Sequence, residues 1–442
     1  MAGTPNGNYP GLAEQKGLGF LPWLIWLTAA LFYLFEFFIR VAPSVMEPEL
    51  QKTFHLSAGS LGAALGVYYY IYAPMQLVVG SFLDRFGAKA VLIPAALLCS
   101  LGCFLEILGP LPAFLITGRF FQGFGSAFAF VGTMFLVTRW FPSNRLALLS
   151  GLTTALGMLG AIIGNAGIAG VVEKMGWQIT LRDAGLFGLV VAALLFFVIP
   201  RDRRKEKAAS ESAVASVEPV AISMLSALKL VLTNPQSWLV GIIGAALYMP
   251  LSILGALWGV EYIVTVTGET KVAASGAISM LYVGWMLGGP LAGWFSDRIG
   301  RRRIFLVGAS GLTLLSTLLL MMFTKMSLPG MYALMLGIGI FSSAQVVSFV
   351  CAVEHNPRQV SGTAIATTNM FIMLIGGLAQ PLVGVILDAM TGATASGEYS
   401  ANAFRWAMGI IPLSALIGLI AGFFLAESYR GDDEPAEVDF RG

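Results

Sequence analysis

GSFLDRFGAKA, Gly80 to Ala90, recurs as GWFSDRIGRRR, Gly293 to Arg303, so that Asp84 maps onto Asp297, Arg85 onto Arg298 and Gly87 onto Gly300 at a constant offset of 213 residues. Arg145 maps onto Arg358 at the same offset. A chain that repeats its loop chemistry at a fixed interval is built from two related halves. Each copy is a short charged turn between long uncharged runs, the pattern of a hairpin joining two membrane-spanning helices.

The rest of the chain agrees with that reading. Of its 442 residues 57% are hydrophobic and 11% charged, against about 25% charged in soluble domains, and the mean hydropathy is +0.80. No water-soluble core hides so much apolar surface. Apolar segments run near 20–43, 57–82, 89–109, 112–137, 146–170, 182–199, 237–264, 273–294, 303–324, 328–352, 362–387 and 404–426. Twelve crossings of roughly 20 residues fit the length and leave short loops. The fold class expected is therefore an all-α membrane protein of 12 transmembrane helices in two pseudo-symmetric six-helix bundles. Its parts are a tail at 1–19, a bundle at 20–200, a linker at 201–236, a second bundle at 237–426 and a tail at 427–442. The linker opens RDRRKEKAASESAVASVEP, too polar to cross a bilayer. The first 18 residues lack the charged start and short apolar core of a removable leader.

Basic residues orient the chain. With both termini in the cytoplasm, 18 Lys/Arg lie inside, 6 outside and 2 (Arg40, Arg119) within segments, as the positive-inside rule requires. Multi-pass insertion in a bacterial inner membrane is the expected localisation. The net charge of +2 is spread over loops, so no nucleic-acid partner is expected. Cys99, Cys103 and Cys351 fall inside apolar runs, and His55 and His355 in loops. Neither a disulfide framework nor a metal site is expected, and no cofactor is implied.

The turn pattern G-x-x-x-D-R-x-G-x-[KR], present twice, resembles the signature loop of the major facilitator superfamily. So short a turn needs a residue free to adopt positive φ, supplied by Gly87 and Gly300, and carboxylates at Asp84 and Asp297 can bond a neighbouring helix N-terminus. Gly80, Asp84, Arg85, Gly87 and Lys89, with Gly293, Asp297, Arg298 and Gly300, are thus the candidate gating loops. In the family this loop is thought to hold the outward-facing state. A second element, GRFFQGFGSAFAF from Gly118 to Phe130, resembles the superfamily's R-x-x-Q-G-x-G pattern and centres on Arg119 with Gln122. The resemblance spans Phe20 to about Glu427 and implies a central substrate site that faces alternate sides in turn.

A guanidinium inside an apolar segment is by default a functional group. The first segment carries Glu36 and Arg40 at i, i+4, on one helix face. Glu36 lies at nearly the depth of Arg119, so a cluster of Arg40, Glu36 and Arg119 is allowed, with Glu36 the candidate proton carrier. Tyr33, Tyr68, Tyr69, Tyr72 and Gln76, with Tyr248, Trp258, Gln345, Ser348, Asn369 and Gln380, interrupt other apolar runs and are candidates to line a cavity near the midplane. Asp388, Glu173 and Glu106 sit near segment ends and read as helix-end or gate residues.

The chain has no phosphate-binding G-x-x-x-x-G-K-[ST] loop and no catalytic constellation, so it is expected to be neither an ATP-driven pump nor an enzyme. Two intramembrane arginines against one glutamate suit a small organic anion or zwitterion: a carboxylate, an amino acid or a short peptide. Proton-coupled symport by a monomer is the reading, near the bacterial metabolite symporter and dipeptide-carrier branches that share G-R-F-x-x-G-x-G. The alternatives are a drug or metabolite efflux antiporter and, in another class, a non-transporting membrane sensor. The family's drug antiporters carry a Gly-Pro pair in the fifth segment, whereas no proline lies between Gly151 and Gly176 here.

Overall fold

A computed structural model describes residues 19–142, 145–200, 223–322, 326–391 and 399–428. The tails beyond these limits and the first part of the expected linker, 201–222, lie outside the described residues. Every regular element among the described residues is helical. Eleven helices are long and apolar enough to cross a membrane. They are α1 (Leu21–Val45), α3 (Ala88–Glu106), α4 (Pro112–Trp140), α5 (Leu148–Met175), α6 (Trp177–Val198), α7 (Pro235–Thr267), α8 (Lys271–Ile299), α9 (Arg302–Met322), α10 (Leu328–Glu354), α11 (Arg358–Thr391) and α12 (Ala401–Phe424).

The second apolar run, read from the sequence as one segment, is divided. Here α2 consists of Ala58–Met75 and Val79–Phe86, joined by a turn. Pro74 lies just before the break, where its missing N–H removes one helical hydrogen bond. Gln76 occupies the turn itself.

Part of the segment assigned to the linker is also helical. MLSALKLVLT, Met224–Thr233, is capped by Ser223, whose side chain accepts from the Ser226 N–H, and it buries Ala227 and Val231. Apolar residues at three- and four-residue spacing give this short helix one dry face.

Helices α1 to α6 pack among themselves, chiefly α3 on α4 and α6, α2 on α4, and α1 on α5. Helices α7 to α12 do likewise through α8 on α10, α9 on α12, and α7 on α11 and α12. The two sets meet along α2 against α11 and α5 against α8. Large apolar side chains such as Phe197, Phe423 and Phe424 remain exposed around the outside, as suits faces solvated by lipid rather than water.

Both repeated loops turn on glycine as their shortness demands: Gly87 has φ +79° and Gly300 φ +64°. Any residue with a Cβ would be strained there.

Candidate functional site

Arg40, near the end of α1, is buried where the two helix sets meet. Its guanidinium pairs with Glu36 one turn earlier, and its Nε donates to the Tyr68 hydroxyl at 3.2 Å. The same hydroxyl donates to Glu36. Three rings surround the cation, with centroids at 4.4 Å (Phe37), 5.0 Å (Tyr72) and 5.5 Å (Tyr68). Aromatic faces attract a guanidinium more strongly where water is excluded. Tyr248 of α7 faces Arg40, Glu36 and Tyr69 from the other helix set, and Tyr282 of α8 faces Tyr248 and Arg40. Tyr33, also buried, packs edge-on against Phe37 and lies beside Phe130.

Buried polar atoms ordinarily have hydrogen-bond partners. Here, among the described residues, Glu36 Oε2 and the hydroxyls of Tyr69 and Tyr282 have none. The same holds for Gln76 Nε2, Gln345 Nε2, Ser348 Oγ and Thr367 Oγ1, from α2, α10 and α11. Asn369, half-buried, lies on α11 two residues beyond Thr367. These polar groups, contributed by both sets, suit a site that exchanges water for a polar ligand. Trp258 is differently placed. Its indole N–H donates to the Gln380 carbonyl at 3.0 Å and the Gln380 amide donates to the Ser252 carbonyl at 3.2 Å, so this pair ties α7 to α11.

Arg119 does not join Glu36. Its Nη1 donates to the Ile39 carbonyl at 2.9 Å and to Gln122 Oε1 at 2.7 Å. Its ionic partner is Glu106 of α3, at 3.7 Å. Glu106, the last residue of α3, is 2% exposed, so this helix-end carboxylate is buried against α4. Two ion pairs, Arg40–Glu36 and Arg119–Glu106, thus stand on either side of Tyr68, whose ring lies 5.9 Å from the Arg119 guanidinium. The R-x-x-Q-G-x-G pattern has a steric reason at Gly123. A Cβ there would lie 2.3 Å from the Tyr68 carbonyl oxygen, so only glycine lets α4 approach α2 this closely.

Sequence reasoning also missed Asn165. Two π-helical stretches, Ile163–Gly167 in α5 and Leu251–Trp258 in α7, face each other across the seam. Asn165 Nδ2 donates to the Gly255 carbonyl at 3.3 Å, and Asn165 Oδ1 accepts from Ser44 at 2.6 Å. Helix distortions of this type concentrate at functional sites. A lone Asn in a glycine-rich run gave no signal of it.

One end of the seam is clasped. Asp388 of α11 accepts from the backbone N–H groups of Ala58 and Gly59 at the start of α2, at 3.1 and 2.8 Å. Tyr399 donates to Asp388 at 2.9 Å, and Lys271 pairs with Glu49 at 2.7 Å. At the opposite end, Asp84 and Arg85 are exposed, and neither makes a hydrogen bond or ion pair to the second helix set among the described residues. Lys89 donates to the Phe196 carbonyl within its own set. Gly80 and Gly293 have open space around them. Asp297 pairs with Arg302 at 2.6 Å, Arg302 also reaches Glu354 at 3.2 Å, and Arg298 lies over the Trp294 ring.

Comparison with known proteins places this geometry. The family model described as Major Facilitator Superfamily matches residues 25–381 and 287–441. The membrane sensor protein UhpC of Escherichia coli (strain K12) is 26% identical over 385 residues, covering 82% of this chain and 84% of that protein. The uncharacterized transporter YybO of Bacillus subtilis (strain 168) is 30% identical over 236 residues, which is 50% of this chain and 53% of YybO, so that match spans about half the relative's length. Among solved structures, a bacterial homolog of the human lysosomal transporter Spinster, in an inward-facing and unoccupied conformation, superposes with a TM-score of 0.70 at 14% identity over 94% of this chain and 98% of that one. At that identity the likeness concerns the fold. The chain belongs to the Major Facilitator Superfamily, and is a multi-pass membrane transport protein rather than a catalytic enzyme.

Proposed function

We propose that the chain is a proton-coupled symporter of a small organic anion or zwitterion, working by alternating access. Its twelve helices form two six-helix bundles, 20–200 and 237–426, with both termini cytoplasmic in a bacterial inner membrane. Arg40 supplies the charge that holds a carboxylate, Tyr69, Tyr248 and Tyr282 supply hydroxyls from both bundles, and Glu36 carries the proton. The observation that carries this reading is the position of the Arg40–Glu36 pair. It is buried at the seam, in a tyrosine cage built from both sides, with one carboxylate oxygen left without a partner among the described residues.

A carboxylate paired with the substrate-binding arginine gives a direct exchange mechanism. An arriving anion competes with Glu36 for Arg40, and a Glu36 that loses its cation in a dry site gains a reason to take up a proton. Substrate and proton then bind together, and the halves rock only when both are present. The clasp at Asp388 lies on the outer side in this orientation, so alternating access requires it to part whenever the site faces outward.

The test is uptake of labelled carboxylates, amino acids and dipeptides into proteoliposomes under an inward proton gradient. One class should accumulate, and Glu36→Gln should abolish accumulation against the gradient while sparing counterflow exchange. If the variant still accumulates substrate, the proton role of Glu36 is wrong. A second reading, a non-transporting sensor, is favoured by the relative named as a membrane sensor. It predicts ligand binding with no uptake in the same vesicles.

A further inference from the structure

Glu47 is fully buried although it belongs to the short helix Glu47–Phe54, beyond the end of α1. One carboxylate oxygen accepts from the Gln51 side chain, and Oε2 has no partner among the described residues. Its neighbours are acidic. Glu49 lies on the same helix and Glu261 on α7, with Lys271 at the start of α8 as the nearby cation. That lysine is already paired with Glu49 at 2.7 Å. Tyr399, just before α12, faces Glu47 as well. Glu173 and Lys174 at the end of α5 are exposed.

The carboxyl group is connected to the clasp. Gln51, which donates to Glu47, has its amide oxygen 3.3 Å from the Tyr399 hydroxyl. That hydroxyl accepts from the Ala58 N–H at 3.1 Å and donates to Asp388 at 2.9 Å. Asp388 in turn caps α2. A chain of side chains therefore runs from Glu47 through Gln51 and Tyr399 to Asp388, crossing from the first helix set to the second.

We propose that Glu47 is a proton-binding switch of the outer gate, taking up a proton from the outer side as the clasp closes and releasing it as the clasp opens. Closure moves the carboxyl out of water into a seam that offers one neutral donor, two further glutamates and a lysine already engaged. An ionised Glu47 would be an unpaired buried charge there, whereas the neutral acid is tolerated. Burial first, then the Glu261 and Glu49 carboxylates, push the Glu47 carboxyl up to about 8 in the closed state. Opened to water, it returns toward the ordinary value of about 4.3.

The sign follows. Between those two values the open state is ionised and the closed state protonated, so each unit of acidification favours closure by up to about tenfold per proton. Below both values and above both, the dependence disappears. This gate proton returns to the side it came from and is distinct from the one assigned to Glu36. The inference requires alternating access, but not coupling at Glu36.

The experiment uses the full chain in nanodiscs, with Cys99, Cys103 and Cys351 replaced and spin labels at Ser60→Cys and Trp406→Cys, on exposed positions of opposite helix sets. Distance distributions from pH 5 to 8 should show the clasped population rising steeply as pH falls. Glu47→Gln should stay clasped across the range, and Glu36→Gln should keep the parent's pH profile. A parent without pH dependence, or a Glu47→Gln variant that titrates like the parent, overturns the proposal. Should Glu47→Gln not fold, Glu261→Gln leaves Glu47 in place while removing one neighbouring negative charge. It must move the profile to lower pH, and an unmoved profile counts against the switch. Failure of the Glu36 reading would appear only as retained accumulation in Glu36→Gln and would leave these distances unchanged.

Discussion

Asp388 caps Gly59 across the seam: its Oδ2 accepts the Gly59 N–H at 2.8 Å, while Oδ1 takes that of Ala58 at 3.1 Å. One carboxylate at the end of α11 thereby satisfies two of the four N–H groups that open α2 without a helical partner. Charge helps as well, because a negative group at a helix N-terminus opposes the positive end of the helix dipole. Nothing in α2 itself supplies this cap to both groups, so the bond exists only while the two helix sets are closed at this end.

Replacing Asp388 with Asn keeps the shape and removes the charge. Asn still caps through its oxygen, so what is lost is the charge at the helix N-terminus, about 0.3–1 kcal/mol, equivalent to roughly a 2- to 5-fold shift in the balance of closed and open states. Spin-label distances across the Ala58/Asp388 end should move toward the open population by that factor. An unchanged distribution would mean that apolar packing alone holds the seam.

Packing contributes through a separate contact that can be varied without touching a charge. A Cβ at Gly384 would lie 2.3 Å from the Ala58 carbonyl oxygen, and one at Gly62 would lie 2.8 Å from Pro381 Cα. Both obstacles are backbone and cannot swing aside. Gly384→Ala should therefore open the same end as Asp388→Asn while leaving the helix cap chemically intact. Its effect should add to that of Asp388→Asn less than fully, since both act on one interface. The comparison of single and double variants measures that coupling.

The interior pair Arg119–Glu106 predicts a different signature, in stability. Arg119→Leu leaves Glu106 buried without its cation, which costs about 3–5 kcal/mol when a buried pair loses one member. Thermal unfolding in detergent should show a large loss. Replacing Glu106 with Leu in the same chain should recover most of it, since an apolar pair of similar volume tolerates a dry site better than one stranded charge. If the double variant is no more stable than Arg119→Leu, Arg119 is held chiefly by the Ile39 carbonyl and Gln122.

These residues also mark how far the sequence could be read. The apolar runs carried the membrane fold, because twenty uncharged residues have few other fates. Glu36 and Arg40 were legible as partners because i, i+4 spacing fixes adjacency within one helix. Depth counted along separate helices placed Arg119 level with Glu36. Depth does not say which helices are neighbours. The structure sets α3 beside α4, so Glu106, set aside as a helix-end charge, is the partner that Arg119 meets. Pro74 and the turn at Gln76 divide the second run, although hydropathy alone reads through them. Glu47 and Gln51 were missed for a related reason. EPELQKTF has the composition of an exposed loop, and it is buried by packing such as Phe54 on Trp177 of α6 together with the approach of α7, α8 and Tyr399 to Glu47.

Arg40 offers the sharpest separation of binding from coupling. Its planar guanidinium bonds Tyr68 and Glu36 at once while lying between the rings of Phe37, Tyr68 and Tyr72. A lysine keeps the charge but has no fork to span two acceptors and no flat face to stack. Losing a charge-assisted, two-pronged contact is worth about 1.5–3 kcal/mol, so Arg40→Lys should weaken substrate affinity roughly 10- to 100-fold in counterflow, where no proton gradient is needed. Glu36→Gln, in contrast, frees Arg40 from its competitor, and should bind substrate at least as tightly as the parent while failing to concentrate it. Saturation curves for counterflow and for gradient-driven uptake, measured on both variants, separate the two roles. If Arg40→Lys exchanges substrate with the parent's affinity, the anion is held elsewhere in the seam, and the unpartnered hydroxyls of Tyr69 and Tyr282 become the place to look.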